Sequence, residues 1–97
     1  QENEEPAGEQ IIHGSELIAR LETGFMEKLE EFRTRQPMNE IREFGNQIRE
    51  LGKTYHADSL YHYGEELVNA TNDFDINKIL SLIVAFPQLI AQIRKRI

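Results

Sequence analysis

Apolar residues recur along this chain at intervals of three and four, the spacing that lays one stripe along an α-helix, and nowhere alternate with the period of two that marks a strand. Leu17, Ile18, Leu21, Phe25, Leu29 and Phe32 make the first stripe, about five turns long. Pro37 ends it, because proline lacks an N–H and its ring clashes with the preceding turn, so the break falls around Gln36. Ile41, Phe44, Ile48, Leu51 and Tyr55 form the second stripe, over residues 39–55. The third places Leu60, Tyr63, Gly64, Leu67 and Thr71 on one face with Ala70 beside them, and Asn72 and Asp73 end it. In the fourth, Ile76, Ile79, Leu80, Leu82, Ile83 and Phe86 are apolar over most of the circumference, which predicts the most buried helix. Pro87 predicts a kink there rather than a stop, since Leu89, Ile90, Ile93 and Ile97 carry the stripe onward.

Ser15, Asn39, Asp58 and Asp75 stand where side-chain oxygens would cap the first free N–H groups of these helices. Short connections between similar helices make each antiparallel to the last. The expected fold is therefore all-α, an antiparallel up-down-up-down four-helix bundle with its last helix kinked at Pro87. Gly45 and Gly52 lie inside the second helix, where each costs about 1 kcal/mol against alanine. Seven residues apart and beside the stripe, they predict the close approach of a neighbouring helix.

Ahead of the first stripe, the segment QENEEPAGEQIIH has acids, Pro6 and Gly8 but no apolar period, so residues 1–14 read as a flexible acidic linker and 15–97 as the domain. A 97-residue chain hides about two-thirds of its surface on folding, enough for one modest core. Glu2, Glu4, Glu5, Glu9 and Glu16 carry most of the net charge of −6, leaving 12 acids against 11 bases from residue 17 onward. A nearly neutral domain without a basic stripe is a poor partner for nucleic acid, whose binding rests on neutralising phosphates. Arg94, Lys95 and Arg96 form the one basic run, and they read as the positive charges that a helix carboxyl end favours. The absence of cysteine removes disulfides, thiolate metal sites and cysteine nucleophiles, and fits the cytoplasm. No uninterrupted run of 18 apolar residues occurs and the amino end is acidic, which predicts neither a spanning helix nor a signal peptide. The first residue is Gln1 rather than Met, so the chain is expected to be a piece of a longer protein, whose upstream part could supply an anchor.

Candidate chemistry is sparse. His13, His56 and His62 have no partners at metal-ligand spacing, His13 falling in the tail and His56 in a turn. His62 sits one turn from both Asp58 and Glu66, which predicts a helical ion pair of a few tenths of a kcal/mol rather than a zinc site. The pairs Glu30-Glu31 and Glu65-Glu66 read as solvated faces, not general acids or bases. Tyr55 and Tyr63 fall on core stripes, which leaves Tyr61 as the surface aromatic. Nothing in the pattern calls for a metal, a cofactor or an enzymatic activity.

The stretch FGNQIRELGKTYHADSLYHYGEELVNATNDFD, residues 44–75, resembles the central hairpin of histidine-containing phosphotransfer (HPt) domains. With MNEIREFGNQIRELGKTY, YGEELVNATNDFDI and FPQLI, the wider pattern over residues 17–93 is similar to the HPt-like segment that follows a receiver domain at the carboxyl end of some bacterial hybrid sensor histidine kinases. That family carries His-x-x-Lys-Gly on its second helix. Setting Leu60, Leu67 and Ala70 on the family's third-helix positions places Asn46 at the phosphoacceptor histidine, Arg49 at the lysine and Glu50 at the glycine. An acceptor histidine attacks phospho-aspartate with a neutral ring nitrogen, screened by the cation one turn on. An asparagine amide nitrogen, its lone pair delocalised into the carbonyl, cannot accept a phosphoryl group, although it can hydrogen-bond a neighbouring domain. Glu50 adds bulk and negative charge where the family has clearance.

The resemblance thus implies a signalling module that has lost phosphotransfer and docks a receiver or histidine kinase domain, in the same polypeptide or another, without nucleic acid or direct membrane contact. Arg42, Asn46, Arg49 and Lys53, with Glu50 among them, make the expected docking face, set to meet the acidic rim of a receiver's phosphorylation site. Two alternatives stand beside it: an active phosphorelay carrier using His56 or His62, and a structural or oligomerising bundle.

Overall fold

The first stripe folds as one continuous rod in the computed structural model, which describes residues 11–35 and 37–96. The rod consists of α1 (Gly14–Arg20), a π-helical turn over Leu21–Phe25, and α2 (Met26–Thr34). The periodicity gives no sign of the π turn, in which each turn takes in an extra residue and carbonyls lose their usual partners. The Thr23 hydroxyl meets that need by donating to the Ala19 carbonyl at 2.9 Å. Pro37 separates the rod from α3 (Met38–Thr54), which is followed by α4 (Asp58–Asn72) and α5 (Ile76–Lys95). The expected break at Gln36 and the linker residues 1–10 lie outside the described residues. Residues just before Ser15 are already engaged: the Ile12 N–H donates to the Tyr55 carbonyl at 2.9 Å, and Ile11 packs on the core.

Of the four expected caps, only Asp75 acts as one, accepting from the Lys78 N–H at 3.1 Å. The other three helices start a residue or more early. His13 precedes α1 in place of Ser15, Pro37 precedes α3 in place of Asn39, and Ala57 precedes α4 in place of Asp58. Asp58 still lies in the first turn, where its charge favours the helix dipole. The carboxyl ends of α3 and α4 close in the same way. The Ala57 N–H reaches back to the Gly52 carbonyl at 2.8 Å, and the Asp75 N–H to the Ala70 carbonyl at 2.9 Å. Each closure places the intervening residue, His56 or Phe74, in the left-handed region that glycine usually occupies.

Four helical rods pack together around a core that includes Leu17, Leu21, Ile41, Ile48, Leu60 and Ile83, all essentially without exposure. Burial of each such side chain contributes about 1.5–3 kcal/mol. Phe44 of α3 stands among the rings of Phe25, Phe32 and Phe86, with centroids 5.3, 5.3 and 5.8 Å away at edge-on angles. Tyr63 extends the cluster to Phe86 and donates its hydroxyl to the Leu82 carbonyl of α5. Burial pushes that phenol well above its ordinary value.

α3 and α4 lie backbone against backbone, as the spacing of Gly45 and Gly52 predicts. A Cβ on Gly52 would stand 2.5 Å from the Tyr61 nitrogen. One on Gly64 of α4 would stand 2.6 Å from both the Arg49 nitrogen and the Gly45 carbonyl oxygen. The fourth stripe departs from expectation. α4 buries nearly half its residues, including Thr71, whereas α5 buries fewer than a third, and it leaves Val84 65% exposed. α5 is covered on only one flank by the other helices, so its broad apolar circumference is not matched by a surrounding shell. It runs unbroken through Pro87, ends on Arg94 and Lys95 as expected, and is long and apolar enough to cross a membrane by length and composition alone.

Candidate docking face

The glycines that draw α4 onto one side of α3 also decide where the neighbouring polar residues stand. Arg42, Asn46, Arg49 and Lys53 follow at helical intervals along α3, with Arg42 and Arg49 at the margin of this seam, and the first three are half-buried. Arg42 bridges the two helices, its Nε donating to Asn72 Oδ1 at 2.9 Å while Nη1 donates to Asn39 Oδ1 at 3.1 Å. Its charge is therefore fixed at the end of α4. The Arg49 backbone lies directly beneath Gly64, and its guanidinium has no ion-pair or hydrogen-bond partner among the described residues. Lys53 and Glu50 are both exposed and pair with each other at 3.8 Å, a contact of little energy in water.

Asn46 and Glu50 look toward the other side of α3. They border a hollow of ≈380 Å³ whose remaining wall includes Arg20, Phe25, Glu43 and Leu51. A second hollow of ≈250 Å³, lined by Lys28, Phe32, Asn39 and Phe44, shares Glu43 and Gln47 with the first. Sequence reasoning missed the part that the first rod plays here. The π turn gives the signal in retrospect, through Thr23 and Gly24 in the middle of an otherwise good helix. The five expected residues thus divide, with Arg42 and Arg49 against the α4 seam, Asn46 and Glu50 along the hollow, and Lys53 at the far end.

The histidines stand apart from this face. His56 is exposed in the turn after α3. His62 is exposed on α4, where its Nδ1 lies 3.8 Å from Glu65 Oε1, and Tyr61 sets its ring edge-on at 5.6 Å. The expected partners of His62 were Asp58 and Glu66. Glu65, three residues on, takes that place because its carboxylate reaches the ring. Among the described residues, no group of three or more histidines and carboxylates is close enough to hold a metal ion. Tyr61 is half-buried, its backbone under Gly52. Tyr55 is buried and donates its hydroxyl to the Glu16 carboxylate, whose acceptance of that proton holds the phenol above its usual range.

Chemically, this surface offers three cations of different freedom, an amide that can both donate and accept, and an acid-rimmed hollow with apolar walls. Among the described residues of this face, no nucleophile is paired with a base. Comparison with family models, with curated proteins and with solved structures finds no match to this chain.

Proposed function

We propose that this chain is an HPt-like signalling module, an antiparallel up-down-up-down bundle with α5 kinked at Pro87, which docks a receiver or histidine kinase domain and transfers no phosphoryl group itself. The observation that supports it most is the state of Arg49. It is half-buried, it stands one turn from Asn46, and it has no charged partner among the described residues. A guanidinium held ready in this way suits a carboxylate supplied from outside. Asn46 beside it recognises by hydrogen bonding where the resembled family would react. On this reading the module is cytoplasmic, is not an enzyme, and uses no cofactor.

The test is titration calorimetry against the receiver and kinase domains of the same organism. Arg49→Glu is expected to weaken binding about tenfold, with helicity and melting temperature nearly unchanged. Equal affinity of the parent and Arg49→Glu chains excludes this face, and the absence of any binding among those domains excludes the reading.

One observation favours phosphotransfer as a second reading: His62 is exposed in mid-helix with a carboxylate beside Nδ1, which could orient the ring. Its experiment is incubation with a phosphorylated receiver. Acid-labile label that disappears in His62→Gln supports the carrier, and label on neither chain rejects it.

A further inference from the structure

α5 carries two apolar stripes, and only one of them faces the core. Ile79, Ile83, Phe86, Ile90 and Ile93 are buried. Ile76, Leu80, Val84, Pro87 and Ala91, spaced 4, 4, 3 and 4, lie roughly a third of a turn away. Val84 is 65% exposed and Ile76 39%, Pro87 and Ala91 are exposed, and Leu80 is half-buried. In the turn just before α5, Phe74 is 69% exposed in a left-handed backbone conformation. A contiguous apolar strip along a charged helix face is a mark of an interaction surface.

The charges at the two ends of α5 identify the occupant. Asp73 and Asp75 precede the helix, whereas Arg94 and Lys95 close it. Asp75 already caps its own helix, and Arg94 meets Glu22 of the π turn. Asp73 and Lys95 have no ion-pair partner among the described residues. Two copies of α5 laid antiparallel about an axis at Val84 place residues equally far before and after that position opposite each other. The acidic turn ahead of α5, with Asp73 and Asp75, then lies toward the basic carboxyl end of the second copy, with Lys95, at both ends, and Val84 meets Val84. A parallel pair would instead set like charges together. A surface that complements itself under a two-fold rotation fits an isologous contact.

We propose that the outer flank of α5 joins two copies of this chain as an antiparallel helix pair centred on Val84. About 30 Å of helix takes part, from 20 residues at 1.5 Å each, which puts the interface at the small end of specific contacts and makes the dimer reversible. A lipid surface is the poorer occupant, because the strip runs from Asp73 and Asp75 to Arg94 and Lys95, so an anionic membrane would attract one end and repel the other.

Sedimentation velocity over a concentration series from micromolar to near millimolar tests the proposal without reference to any receiver. The expected result is a monomer that becomes a dimer, with Val84→Glu remaining monomeric and equally helical. Asp73→Lys should weaken the dimer and Asp73→Lys with Lys95→Asp should restore it. Because the chain has no cysteine, Val84→Cys should oxidise to a covalent dimer while Ser81→Cys, off the strip, does not. A chain that stays monomeric throughout, a dimer indifferent to Val84→Glu, or a monomer that floats with phosphatidylcholine vesicles through this strip overturns it.

Discussion

α3 meets α4 and the first rod in opposite ways. Toward α4 it presents glycines, and the backbones come so close that a single added carbon at Gly52 or Gly64 would overlap main-chain atoms. Toward the first rod it presents Phe44, whose ring bridges to Phe25 and Phe32 and leaves two hollows beside the bridge. Small residues remove the space between helices, whereas large rings span it and leave voids at their edges. The seam therefore fixes the cations that lie along its margin, Arg42 and Arg49, and the ringed boundary supplies the concave surface that Asn46 and Glu50 border. A surface with one rigid wall and one adaptable wall follows from the placement of three glycines and three phenylalanines.

The most severe way to break this contrast is Gly52→Ala. The new methyl meets the Tyr61 nitrogen and Cα, which cannot swing aside as a side-chain end can. The helices must separate, and the cost is expected at or beyond the upper end of the ~1–3 kcal/mol usual for overpacking. Denaturant unfolding measures it, and a loss below about 1 kcal/mol would show that the seam yields. Gly45→Ala should cost less, because its nearest obstacle is the Val68 Cγ2 methyl at 2.9 Å.

On the ringed side, Phe44→Ala removes the hub of the aromatic cluster. Phenylalanine truncations in cores cost about 3–5 kcal/mol, and the value here is expected near 3, since the adjacent hollows let neighbours relax into the gap. A cost near 5 kcal/mol would mean that this boundary is as unyielding as the seam.

The tight side was legible in the sequence because glycine inside a good helix is costly, so Gly45 and Gly52 by themselves point to an approaching helix. Gly64 completes the contact from α4, a role that its place on that helix's apolar face did not by itself reveal. The ringed side was not legible. Apolar spacing predicts which residues turn inward but not how far apart two helices settle, and no periodicity signals a π turn. The caps misled for a related reason: Ser15, Asn39 and Asp58 have the right chemistry, but the helices begin ahead of them, where His13, Pro37 and Ala57 supply backbone geometry without a side-chain bond. Asp75 caps as expected because Phe74 ahead of it is held in a left-handed conformation, so the helix begins directly after the aspartate. Of the candidate face, the helical interval of Arg42, Asn46, Arg49 and Lys53 was visible from spacing alone. The bond that ties Arg42 to α4 depends on Asn72, thirty residues away, which no local pattern reveals.

The smallest expected effect comes from making the same substitution where the first rod bends. Gly24 lies in the π turn, and nothing stands within 4 Å of where its Cβ would be. It has no need of a left-handed backbone, so alanine there gains helix propensity and meets no obstacle. Gly24→Ala should stabilise the protein by about 0.5–1 kcal/mol, read as a rise of a few degrees in melting temperature. The sign is the informative part: one methyl should stabilise at Gly24 and destabilise at Gly52, although both glycines occupy helix interiors. If Gly24→Ala is instead destabilising, the π turn itself depends on glycine. The hollow beside Asn46 would then be maintained by the bend of the rod as much as by the ring of Phe44, and the adaptable wall of the face would have its origin in Gly24.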